Sequence, residues 1–136
     1  MDVLTIERDF TAWLAGQLGF AVDNGIYRGG IPEGIDKGVA VIFGAEEKAR
    51  GFYGFRPRAW QVQIFAKFAD RDDALRLQTT LNGMFPRPDF AFGDTRFITA
   101  APRGSSEPYL AADNGETKVF VSYNLVLTVL TVGTQV

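Results

Sequence analysis

The sequence predicts an α+β fold: a mostly antiparallel sheet of about five or six strands with two helices packed on one face. Three observations predict it. Trp60, Val62, Ile64, Ala66 and Phe68 recur at every second residue, with Gln61, Gln63 and Lys67 between them and Phe65 as the one apolar exception. That is the period of a half-buried strand. From Asp70 the spacing changes, and Ala74, Leu77, Leu81, Met84 and Phe85 follow a helical stripe. Ile6, Phe10, Trp13, Leu14 and Leu18 form a second helical stripe near the start.

The first stripe along the chain predicts a helix over about residues 4–18. Asp2 or Thr5 can accept the orphan amide hydrogens at its start, and Gly19 suits the left-handed closing position. Asn24-Gly25 is a turn, and Ile26 to Arg28 a short strand ended by Gly29-Gly30-Ile31-Pro32, whose proline has no amide hydrogen to give a central strand. Gly38 to Phe43 is a compact strand. Residues 44–58 have no clear period and are read as a long loop or the tip of an extended hairpin. The long strand and second helix follow, with Asp70 placed to cap the helix and Asp72 and Asp73 favoured by its N-terminal dipole. Gly83 and Pro86 bracket its end.

Residues 86–94 read as a loop, and Arg96 to Ala101 as a strand. Tyr109 to Ala112 and Lys118 to Leu130 flank Asn114-Gly115, the strongest short hairpin signal in the chain. A two-residue loop there pairs Ala112 with Thr117 and Leu110 with Val119, and sets Asp113 across from Glu116. Val119 to Val136 carries no charge, but Ser122, Asn124, Thr128 and Thr131 interrupt it and β-branched residues dominate. A buried strand suits this composition better than a membrane helix. No repeat or linker divides the chain.

Composition narrows the function classes. With 136 residues, 46% hydrophobic and twelve phenylalanines, the chain can bury a core of its own. The net charge is −2, and residues 1–58 and 59–136 each hold eight acids and seven bases. Bulk-charge binding of nucleic acid needs a strongly basic surface, so such a partner is not expected. The absence of cysteine removes disulfides and thiolate chemistry, and the absence of histidine removes the usual general base and metal ligand. The opening Met-Asp-Val-Leu-Thr-Ile-Glu-Arg is too charged for a signal peptide.

Candidate chemical groups reduce to structural ones. Asp70, Asp72 and Asp73 suggest a calcium loop, but Leu75 and Leu81 stand where its sixth-position glycine and twelfth-position glutamate belong. Glu46 with Glu47, or Asp89 with Asp94, lie in polar, Gly- or Pro-flanked stretches without the burial that would separate two carboxyl pKa values. Gly51-Phe-Tyr-Gly-Phe lacks the ending of a phosphate loop. Lys48, Arg50, Arg56 and Arg58 beside Phe52, Tyr53 and Phe55 resemble a weak single-strand-binding surface. The preferred reading is a loop whose aromatics pack on a neighbouring subunit. No catalytic residue, metal site or cofactor is expected.

The order of features carries a resemblance. A helix ending in Leu-Gly precedes Ile26-Tyr-Arg-Gly-Gly-Ile-Pro32, then Val39-Ala-Val-Ile-Phe43, then Arg56-Pro-Arg-Ala-Trp-Gln-Val-Gln-Ile64, then Asp70-Arg-Asp-Asp-Ala-Leu75 opening a helix. This resembles the tail-terminator proteins of tailed bacteriophages, also labelled minor capsid or tail-completion proteins. It covers about residues 4–85, and the C-terminal strands match in kind. The resemblance implies that residues 1–136 form a single tail-terminator-like domain of a phage or prophage structural protein. Its partners would be copies of itself in a ring, typically a hexamer, the tail tube protein and a head–tail connector protein. No membrane or cofactor is implied. The place would be the virion tail, and the host cytoplasm during assembly. Arg50, Phe52, Tyr53, Phe55, Arg56 and Arg58 are the expected subunit or tube contact, because ring interfaces favour aromatic and Arg side chains. The alternatives are a single-stranded nucleic-acid-binding module using residues 44–58, or another head–tail connector component.

Overall fold

The computed structural model describes residues 3–22, 25–32, 37–47, 57–105, 108–112 and 119–132. The elements run α1 (Val3–Leu18), β1 (Ala21–Val22), β2 (Gly25–Arg28), β3 (Gly38–Glu47), β4 (Arg58–Phe68), α2 (Arg71–Met84), β5 (Arg87–Phe92), β6 (Thr95–Ser105), β7 (Tyr109–Ala112) and β8 (Val119–Thr131). The strands form one sheet in the order β1-β2-β3-β4-β8-β6-β5. β7 takes up the same edge of β8 where β6 leaves it: β6 pairs residues 125–131 of β8, and β7 pairs residues 119–122. Only the β1–β2 and β2–β3 pairings are parallel. The fold is therefore the expected α+β one, with a mostly antiparallel sheet.

The two helices form as their stripes require. Gly19 takes a φ of 76° at the end of α1, a conformation that glycine adopts without a Cβ clash. α1 starts at Val3, so Thr5 lies inside its first turn, and Asp2 is outside the described residues. At α2 the Asp70 carboxylate accepts the Asp72 amide hydrogen at 2.9 Å, with Asp72 and Asp73 in the first turn. The helix ends where the Phe85 amide donates to the Leu81 carbonyl, just before Pro86.

Among the described residues the sheet includes two short strands, β1 and β5, beyond those foreseen. Three expectations need correction. Residues 86–94 are not a loop: β5 pairs with β6 from Arg87↔Ala100 to Phe92↔Thr95. β5 ends the strand order, and an edge strand is where a proline such as Pro88 is tolerated. The hairpin near the C-terminus is paired two residues out of the expected register, as Leu110↔Val121 and Ala112↔Val119. A two-residue slip leaves every side chain on the same face, so the alternation of apolar residues cannot distinguish the two registers. The Asn114-Gly115 turn and the Asp113–Glu116 pair are outside the described residues. Finally, β3 continues past Phe43 to Glu47, which makes β3 and β4 the arms of a long hairpin.

Both helices share one core with one face of the sheet. From β4 it takes Trp60, Val62, Ile64, Ala66 and Phe68, and from β8 Val121, Tyr123, Leu125, Leu127 and Val129. α1 contributes Ile6, Phe10, Trp13 and Leu14, and α2 contributes Ala74, Leu77 and Leu81. Rings tie α1 down. Phe90 stacks between Trp13 (4.3 Å between centroids) and Phe97 (4.6 Å), and Phe10 meets Trp13, Phe43 and Phe97 at 5.7–5.8 Å. Each such pair adds about 0.5–1.5 kcal/mol beyond the area it buries.

A polar latch completes this attachment. Asp9 on α1 accepts the Thr95 hydroxyl at 2.6 Å and the Asp94 amide at 3.1 Å. Gly93-Asp94 is the two-residue connection between β5 and β6, with Gly93 at φ 60°. A Cβ at Gly93 would run into the Asp9 carboxylate. Phe97→Ala should cost about 3–5 kcal/mol in denaturant unfolding, and Asp9→Ala about 1–3 kcal/mol, since it removes the charged acceptor of the Thr95 hydroxyl and the Asp94 amide. Leu4→Ala, at an exposed position on the same helix, should stay within about 0.5 kcal/mol. Equal losses at all three positions would contradict this account of how α1 is held.

Candidate assembly surfaces

The root of the β3–β4 hairpin is an ordered clamp. A bulge between Phe43 and Glu46 shifts the register, so that Phe43 faces Val62 while Glu46 faces Trp60. One extra residue moves Glu46 onto the face that Trp60 and Arg58 share. There Arg58 grips the Glu46 carboxylate with two hydrogen bonds, Nε to Oε1 at 2.8 Å and Nη2 to Oε2 at 3.0 Å. The same guanidinium lies 4.7 Å from the Trp60 ring centroid. The Trp60 indole in turn donates to the Thr131 hydroxyl at 3.3 Å, which links the clamp to β8.

Of the six residues expected at an interface, Arg58 is the one described, and its guanidinium is engaged within the chain. Arg50, Phe52, Tyr53, Phe55 and Arg56 lie outside the described residues, as does Lys48. The basic cluster inferred for a nucleic-acid strand therefore loses Arg58 as a free cation.

Four of the candidate acids have structural partners. Asp70 caps α2, and Asp73 pairs with Arg76 at 3.0 Å and Lys37 at 3.9 Å. Asp89 meets Arg96 at 3.4 Å, and Glu46 meets Arg58. A hollow of about 220 Å³ between the helices, floored by Leu18, Phe20 and Phe68, contains Asp73 as its one carboxylate. Among the described residues no cluster of three metal-ligating side chains occurs, and no helix is long and apolar enough to cross a membrane.

Among the described residues, the other face of the sheet carries no helix. Register puts Ala40 and Ile42 of β3 beside Phe65 and Gln63 of β4, and these beside Asn124 and Val126 of β8. Thr128 and Leu130 of β8 continue the face to Ala101 and Thr99 of β6. Gln63 donates to Asn124 at 2.7 Å across it. Register places ionisable residues at the ends of this face, Lys67 on β4 at one end and Glu47 of β3, beside Ala59, at the other. Ile42, Phe65, Val126 and Leu130 are half-buried, although no described element packs over them. An ordinary solvent face would alternate charged residues here. This surface was missed at the sequence level, where the one available signal was Phe65 standing at an outward position.

The clamp makes a pH prediction. The hydrogen bond from Arg58 holds the Glu46 carboxyl below its ordinary value of 4.5, desolvation opposes this, and the Arg58 charge adds to it. A carboxyl that is the stronger acid when folded contributes its full stabilisation above the unfolded value and loses it as pH falls through the folded one. The advantage of the wild type over Glu46→Gln should therefore be constant above pH 4.5 and disappear on further acidification, read by denaturant unfolding across pH. It should also be small, because the pair is solvent-exposed. A difference that ignores pH would remove the ion pair from the account.

No protein-family model and no curated protein matches this chain. Among solved structures, the chain is similar to a protein in the virion of the native gene transfer agent particle. The two share 18% sequence identity, with a TM-score of 0.51, over 90% of this chain and 86% of the other. At that identity the likeness establishes a shared fold.

Proposed function

We propose that this chain is a structural protein of a phage or prophage tail: a terminator whose copies close into a ring, hexameric in form, on the head-proximal end of the tail tube. The ring would stop tube growth and offer the surface to which a head–tail connector protein joins. The observation that carries this reading is the fold, which extends over 90% of the chain and is shared with a protein of a virion particle. The Tyr27-x-Gly29-x-x-Pro32 segment and the Pro57 to Ile64 strand running into the Asp70 helix add the resemblance to tail terminators. The carboxylates at Glu46, Asp70, Asp73 and Asp89 all hold structural partners, which favours a protein that works through surfaces over an enzyme.

In this reading residues 1–136 are one terminator domain, and the end of the β3–β4 hairpin is a contact. Arg50, Phe52, Tyr53, Phe55 and Arg56 would meet the tube or the next subunit, on an arm whose root is fixed by Arg58. The protein would collect in the host cytoplasm during assembly and end in the virion tail.

The test is tube length. Purified tail tube protein polymerises with and without this chain, and electron microscopy measures the length distribution and labels the ends. Termination predicts shorter tubes with the chain at one end. Phe55→Asp combined with Arg56→Glu should restore long tubes while thermal stability is kept. Unaltered tube length with the wild-type chain would overturn the proposal, and capping by the double variant would overturn the placement of the hairpin contact.

A further inference from the structure

The helix-free face of the sheet is built like the centre of an interface. Across β3, β4, β8 and β6 it offers Ile42, Phe65, Val126 and Leu130 among Gln63 and Thr128, with Lys67 and Glu47 at opposite ends. Depletion of charge at the middle of a patch is the compositional mark of a protein–protein contact. Among the described residues no element covers it; α1 packs against β1, β2, β5 and β6, and α2 against β4 and β8, on the core side.

Area and chemistry indicate what covers it. Four strands at a spacing of about 4.8 Å and up to about ten residues at a rise of about 3.3 Å span about 600 Å². A standard interface takes about 800 Å² from each partner, so this face supplies most of one side of a stable contact. A charged partner would find no counter-charges at its middle, between Lys67 and Glu47. The Gln, Asn and Thr side chains both donate and accept, so they can be satisfied by groups of the same kind. We propose that the face is the surface on which a second copy of this chain docks. The inference deepens the ring reading by naming the subunit contact, and it also holds if the oligomer never meets a tail.

The absence of native cysteine makes the test direct. A single Thr128→Cys substitution places a thiol in the middle of the face. Its labelling rate by a soluble maleimide is measured against protein concentration, alongside the mass from light scattering. Docking predicts an oligomer whose labelling rate drops as concentration rises and recovers on dilution. Val126→Arg should keep the melting transition and reduce the mass to that of a monomer. Ile42→Arg, on a neighbouring strand, should do the same if Val126→Arg does not fold, and the mild Val126→Thr should keep the wild-type mass. A wild-type monomer at every concentration, or an oligomer in which Cys at this position labels at a constant rate, overturns the inference. Tube capping without protection of the thiol would overturn the inference and leave the terminator reading standing. Protection without capping would overturn the terminator reading and leave the inference standing.

Discussion

The pairing of β4 with β8 is the constraint on which the rest of the structure depends. It runs without a break from Arg58↔Thr131 to Phe68↔Val121. Every core residue these strands give to the helix side, and every uncharged residue they give to the other side, is assigned by this one register. A one-residue slip of either strand would exchange its two sets. Slipping β4 would turn Trp60 and Ile64 away from α1 and α2 and bring Gln61 and Gln63 into the core. Burying those amides without partners costs several kcal/mol in total, at about 1–3 kcal/mol for each unpaired group. The register is thus held by a penalty on both faces.

The other elements are placed relative to this pair. β3 extends the sheet beyond β4, and α2, which follows β4 directly, folds back across β4 and β8. α1 is more distant in sequence and is attached by contacts of another kind: a row of rings through Phe10, Trp13, Phe90 and Phe97, and the Asp9 latch on the β5–β6 turn. The two mechanisms are complementary. Ring stacking supplies most of the energy but tolerates sliding along the ring plane, whereas the carboxylate accepts two hydrogen bonds from fixed positions and so sets where along the sheet the helix sits.

What was legible in the sequence follows from the same distinction. β4 and both helices show in the residues because burial on one side imposes a period, and the Asp70 cap shows because capping chemistry is local. β5 does not, because most of its residues are exposed and Pro88 argues against a strand unless the edge position is already known. The β7–β8 register is off by two because alternation repeats every two residues. The bulge in β3 is invisible because it follows from the fit between two arms, and Gly44-Ala45 has no signature of its own. The hairpin root was therefore misread: Arg58 looked like one of a group of free basic residues until the bulge brought Glu46 onto its side. The helix-free face was misread for a different reason. Gln, Thr and Asn between apolar residues satisfy the polar half of an alternating pattern, so the pattern registers a solvent face although its middle carries no charge.

These two misread places suggest how a surface can be made specific in advance of any contact. A surface recognises a partner only if its parts keep their relative positions, since ordering them on contact would cost about 0.5–1.5 kcal/mol for each long side chain. On the sheet face the positions are preset by the central register, and the Gln63–Asn124 hydrogen bond fixes two of its amides in advance. At the hairpin root, Arg58 is held by Glu46, by the Trp60 ring and, through Trp60, by Thr131 at the end of β8. The same strand pair therefore anchors both the sheet face and the root of the β3–β4 hairpin, so the two places keep a fixed relation to each other.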